Sequence, residues 1–300
     1  MNKAHYHLPG LFEFYELYSV FLPLFYEKRE WFYDWCDIGS IYGAPADCLW
    51  GGGRVGFGDA DAKQVLKLMQ KYDVSSRLTF SNSLITTEHL SDMHCNELCD
   101  LISNNSYSEN ANGIIIYSDV LLEYIKKKYP DLYFVSTTTK VITDKKEALK
   151  ELSRDDFSYV VLDFRLNKEL DWLGDLPEAL KDKAELLCNE CCSISCSDRK
   201  ACYENVSMKA LGIDCKDHVC SSIDAKDGYV FSKAMQNPAF IGIEDIKNTY
   251  LPIGVTNFKI EGRSLGSALI LEFLLYYMTK PNYQLNVREK IYLDASLDLF

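Results

Sequence analysis

Short apolar runs rich in β-formers recur along this chain with charged, helix-periodic stretches between them, and this alternation restricts the fold more than any other feature. The runs are residues 37–42, 77–81, 113–117, 132–136, 159–163, 184–188, 239–241 and 258–260. Helical periodicity marks residues 61–72, 90–102, 120–129, 145–152 and 244–250. Strands that read as continuous apolar runs are buried on both faces, which is the condition of a parallel sheet covered by helices. Eight such units predict an α/β chain closed as a (β/α)8 TIM-type barrel rather than an open sheet.

The spacing divides the chain. Residues 1–36 are aromatic-rich and are expected to form two short helices, broken near Pro23 and packed on the barrel. The barrel itself is expected over 37–275 and a C-terminal extension over 276–300. After the sixth run the next is delayed, so residues 189–237 are expected to be a long cysteine-rich loop, a length that points to function in a compact domain. No apolar stretch is long and uncharged enough to cross a membrane, and Glu13, Glu16 and Pro23 stand where a secretory signal would need a basic start. With 32 Lys and Arg against 44 Asp and Glu, the net charge of −12 disfavours nucleic acid and anionic membranes as partners.

Chemistry in a parallel barrel sits beyond the carboxyl ends of the strands, and here those ends are polar. Tyr42, Arg54, Asn82, Arg165, Asn167 and Asn189 are candidate walls of a substrate pocket. Asp163, Lys259, Glu261 and Arg263 are the candidate catalytic charges, with Glu261 as acid or base and Lys259 and Arg263 binding an anionic group or tuning it. The glycines 51–53 match neither GxGxxG directly after a strand nor GxxxxGK(S/T), and HExxH does not occur.

Cysteine is the other concentrated signal. Seven of the eleven cysteines lie between Cys188 and Cys220, and an odd total without a secretion signal favours a reducing, cytoplasmic setting. Thiolates so grouped suit zinc or an iron–sulfur cluster. Cys215, His218 and Cys220 could complete a zinc site, and the CxxxCxxC of radical enzymes is absent.

The run Phe258-Lys259-Ile260-Glu261-Gly262-Arg263 closely resembles a signature near the end of the collagenase-like U thirty-two (U32) peptidase family. Asn189-Glu190 followed by Cys192, Cys196 and Arg199 is similar to a segment of its clostridial-type branch. Tyr42-Gly43 with Gly52-Gly53-Arg54, and Thr79 to Asn82, are similar as well. The resemblance implies a barrel and, as in relatives that hydroxylate RNA bases or a quinone precursor without oxygen, a [4Fe–4S] cluster. On that basis Cys192 and Cys196 are expected ligands, Cys220 or Cys215 the third, and Cys48, Cys188 or Cys202 the last, with zinc as the alternative metal. The chain departs from the RNA-modifying branch in its cysteine spacing, and the further C-terminal domain of those proteins is not expected in it. The resemblance thus implies an enzyme of oxygen-independent hydroxylation or a related redox step on a small-molecule or carrier-bound substrate, served by an electron donor. Peptide hydrolysis, and a non-catalytic subunit that forms a heterodimer with a related protein, are its alternatives.

Overall fold

The apolar runs become strands where the chain can bury them on both sides. In the computed structural model, which describes residues 2–52, 60–104, 111–222, 230–262 and 265–294, eight parallel strands follow one another in chain order. They are β1 Ala4–Pro9, β2 Cys36–Gly43, β3 Ser76–Phe80, β4 Gly113–Ile116, β5 Tyr133–Ser136, β6 Tyr159–Val161, β7 Ala184–Leu187 and β8 Asn257–Lys259. β1 pairs with both β2 and β8, so the sheet closes into the expected TIM-type barrel. Helices between the strands cover it with apolar faces. Asp119–Lys128, for example, buries Leu121, Leu122 and Ile125 and starts where the Ser118 side chain accepts the Leu121 N–H. Among the described residues no helix is long and apolar enough to cross a membrane.

Two expectations about the strands are corrected. The first strand lies inside residues 1–36: in Ala4–Pro9, Ala4, Tyr6 and Leu8 join the core under the helices while His7 bonds Ser40 on the barrel side. The helix after it, Tyr15–Glu27, continues through Pro23, because Leu17, Tyr18, Phe21, Leu22 and Phe25 on one side of it are all buried and hold it in place. Residues 1–36 are therefore the first strand–helix unit of the barrel. Residues 239–241, in turn, form a strap and not a strand, fixed where Cys188 O accepts the Ile241 N–H and Ala239 O accepts from Asn167. At the other end, the expected boundary at 275 falls inside helix Ser267–Met278.

The cysteine-rich segment follows β7, the strand read sixth in the sequence. It carries helix Arg199–Ala210 back to the loop after β3, where Ser207 O accepts from Asn82 Nδ2 at 3.2 Å and Ser207 Oγ accepts the Ser83 N–H at 3.1 Å.

The barrel interior is unusual. Such interiors are filled mainly by branched aliphatic side chains, and Tyr42, Ile115, Val135 and Val161 do form an apolar layer. Next to it lies a charged group. Arg77 Nη1 is 2.6 Å from Glu185 Oε2, Arg77 Nε donates to Tyr133 Oη at 2.7 Å, and the guanidinium stands 4.5 Å over the Tyr159 ring. His7 Nε2 lies 3.5 Å from the same Glu185 oxygen. Burial and the Arg77 charge push His7 down to about 3, so its ring is neutral. Burial works against the Glu185 carboxylate, but the positive groups around it outweigh burial and hold it down to about 2.

Candidate active site

At the carboxyl ends of the strands the barrel opens into a cleft. Tyr42, Thr79 and Lys259 line it from the strands and Ser81 and Glu261 from just beyond them, Ile115, Val161 and Leu187 give it an apolar floor, and Glu190 and Tyr203 enter from the cysteine-rich segment. Strand alternation explains the selection: residues two apart, such as Thr79 and Ser81 or Lys259 and Glu261, point the same way.

Lys259 is buried, with Nζ 3.3 Å over the Tyr42 ring and 3.3 Å from Glu185 Oε1. Tyr42 is fixed by donating its hydroxyl to Ile260 O at 2.6 Å. The Glu261 main chain is gripped by Asn189, which accepts its N–H at 2.7 Å and donates to its carbonyl at 2.9 Å. Gly262 follows because a Cβ there would meet Ile270 Cδ1 at 1.9 Å and Pro9 Cγ at 2.8 Å. Thr79 Oγ1 and Ser81 Oγ are buried without a hydrogen-bond partner among the described residues. A buried hydroxyl left in that condition costs about 1–3 kcal/mol, so both are disposed toward a bound polar group.

Other expected site residues serve as supports. Asp163 is paired with Arg165 at 2.7 and 2.9 Å, and Arg165 also donates to Cys196 O at 3.0 Å. Arg199 lies buried between Glu190, at 2.7 Å, and Asp163, at 3.8 Å, so this chain of charges fastens the cysteine-rich segment to the end of β6. Asp163 and Arg165 are thus spent on each other and are not among the cleft-lining residues. Asn82 donates to Leu49 O and Ser207 O, and Asn167 to Leu187 O and Ala239 O. Both bridge main-chain segments where pocket walls were expected. Gly52 packs on the Asn82 backbone, which a Cβ would meet at 2.4 Å. Arg54 and Arg263 lie outside the described residues.

The expected metal ligands do not come together. Cys48 Sγ is 3.4 Å from Cys95 Sγ in the core, which corrects its assignment to a cluster with the later cysteines. Cys188 is buried at the end of β7, and burial pushes its thiol up and keeps it protonated. Cys192 packs against Phe164, Leu187 and Ala239, Cys215 lies 3.5 Å from Asn205 Nδ2, Cys202 is half-buried on its helix and Cys220 is exposed. Among the described residues no three His, Cys, Asp or Glu side chains gather as a metal site. As arranged, they fit neither a [4Fe–4S] cluster nor zinc.

The sequence reading missed Glu185, Arg77 and His7 beneath the cleft, and the hydroxyls of Thr79 and Thr137 to Thr139 in its wall. The signal for the charged group was there: a Glu in A-E-L-L and an Arg in S-R-L-T-F occupy alternate strand positions that face the axis.

No family profile and no curated protein matches the sequence. Among solved structures, the U32 peptidase Mk0906 is similar with a TM-score of 0.52 and 10% identity, over 87% of this chain and 94% of that one. The chain has the fold of a U32 peptidase. The U32 resemblance read from the sequence is therefore matched at the level of the barrel. A D-allulose 3-epimerase from Methylomonas sp., solved with D-allulose, is similar at 12% identity over 71% of this chain and 82% of that one, with a TM-score of 0.35, a likeness too distant to inform on function.

Proposed function

We propose that the chain is a U32-like barrel enzyme that acts on a small molecule, or on the small end of a carrier-bound one, held in the cleft at the barrel mouth. The observation that carries this reading is the convergence of Lys259, Glu261, Tyr42 and the unpartnered hydroxyls of Thr79 and Ser81 on one cleft. Glu261 is the proton-transfer group: its carboxylate projects from a main chain that Asn189 holds still. Lys259 supplies positive charge beside the apolar floor, where it stabilises negative charge developing on a substrate oxygen. Tyr203 closes one side of the same cleft. Oxygen-independent hydroxylation, which the sequence resemblance implies, would need an electron acceptor that these residues do not supply, and its substrate would enter the same cleft.

A thermal-shift screen of small metabolites on the wild type, Glu261→Gln and Lys259→Met tests it. The reading expects ligands that stabilise the wild type and lose that effect in Lys259→Met. It fails if no compound stabilises the protein, or if both variants respond as the wild type does. Cleavage of a peptide panel that is abolished by Glu261→Gln would replace it with the peptidase reading.

A further inference from the structure

Arg77, Glu185 and His7 fill space that aliphatic side chains fill in other barrels of this type. Exchanging a buried ion pair for well-packed apolar residues is commonly neutral or stabilising, so packing does not account for this group. Toward the cleft, the group reaches Lys259. Glu185 offers one oxygen to Arg77 and His7 and the other to Lys259, at 2.6, 3.5 and 3.3 Å. Its neighbours are themselves fixed. Arg77 is held by Tyr133 and stacked on Tyr159, and His7 is held by Ser40 at 2.8 Å and Asn257 at 3.3 Å.

We infer that Glu185, locked by Arg77 and His7, is a positioning residue for Lys259: it pins the ammonium over Tyr42 and keeps it protonated at the cleft. This rests on Lys259 being the cleft cation proposed above. Beside Lys259 stand Glu185 on β7 and Tyr42 on β2, with Arg77 on β3 and His7 on β1 against Glu185, and Glu190, Glu261 and Tyr203 share its cleft. Glu185 stays ionised and His7 neutral near neutral pH, so the group acts through a fixed charge and not as a proton relay.

Carbamylation by cyanate, a small reagent that consumes only the neutral amine, tests the assignment on the full chain without any ligand. The rate at Lys259 is measured by peptide mass spectrometry across a pH series, with exposed Lys67 as the internal reference. In Glu185→Gln the Lys259 rate relative to Lys67 should rise about tenfold at a given pH, equivalent to a midpoint lower by about one pH unit. Glu185→Asp, which keeps the charge but draws it back by one methylene, should give a smaller rise and serves if the Gln variant does not fold. An unchanged Lys259 to Lys67 ratio in the folded variants overturns the assignment, as does a Lys259 that resists cyanate in all three proteins while Lys67 reacts fully. Either result leaves the functional reading standing, whereas a screen that finds no cleft ligand removes that reading without touching the Lys259 chemistry.

Discussion

Asn189 holds the main chain of Glu261 from both sides, accepting its N–H at 2.7 Å and donating to its carbonyl at 2.9 Å across the joint between β7 and β8. An amide side chain suits this grip, since it presents a donor and an acceptor on two adjacent atoms of one rigid plane. Asn189→Asp loses the donor and sets a second carboxylate beside Glu261. Denaturant unfolding should show a loss of about 1–3 kcal/mol, together with weaker binding of any cleft ligand. A variant as stable as the wild type, with unchanged ligand response, would contradict this role.

The charged barrel interior makes stability depend on pH in a definite direction. His7 falls from its ordinary 6.5 to about 3 and Glu185 from 4.5 to about 2 on folding, so in both cases the unfolded chain binds protons more readily. Stability therefore rises with pH across these windows and is lost on acidification, first through His7 between about 6.5 and 3 and then through Glu185 between about 4.5 and 2. Urea unfolding at a series of pH values should show the fall, and His7→Gln should flatten it between pH 6.5 and 4.5. An identical slope in that variant would assign the acid sensitivity elsewhere.

Arg199 joins the cysteine-rich segment to the barrel through Glu190 and Asp163, and it is 2% exposed. Arg199→Ala leaves the buried Glu190 carboxylate without that partner, a change worth about 3–5 kcal/mol where a buried pair is broken. Limited proteolysis should then cut within residues 189–222 faster than in the wild type. Unaltered cleavage would show that the segment is held by other contacts.

Cys48 is paired in the core with Cys95, and this separates it from the cysteines after β7. Iron, sulfide and zinc contents of protein purified without oxygen should therefore be the same in Cys48→Ala as in the wild type. Loss of metal in that variant would return Cys48 to the ligand set expected from the sequence.

The barrel was legible because seven of its strands are apolar enough to announce themselves. β1 was not, since His5, His7 and Pro9 interrupt Ala4, Tyr6 and Leu8, and an interior that accepts polar groups removes the apolar run by which a central strand is recognised. Residues 239–241 looked like a strand for the opposite reason: they are apolar, with Ala239 and Ile241 buried, but side-chain bonds from Asn167 and Asn237 hold them as a strap. Lys259 and Glu261, singled out by the sequence run around them, line the cleft, whereas Asp163, Arg165, Asn82 and Asn167 occupy strand ends with the same kind of chemistry and spend it on neighbouring segments. Which polar side chain turns to the cleft and which to a loop is decided by tertiary contacts that no local pattern records.

A crystal structure with the most stabilising compound from the thermal-shift screen tests the central claim most directly. The account predicts the compound between Tyr42, Thr79, Ser81, Lys259 and Glu261, with a polar group against Lys259 and a hydroxyl of β3. A compound bound at the opposite end of the barrel, beside His5, Asp37 and Asn257, or on the outer surface, would contradict it.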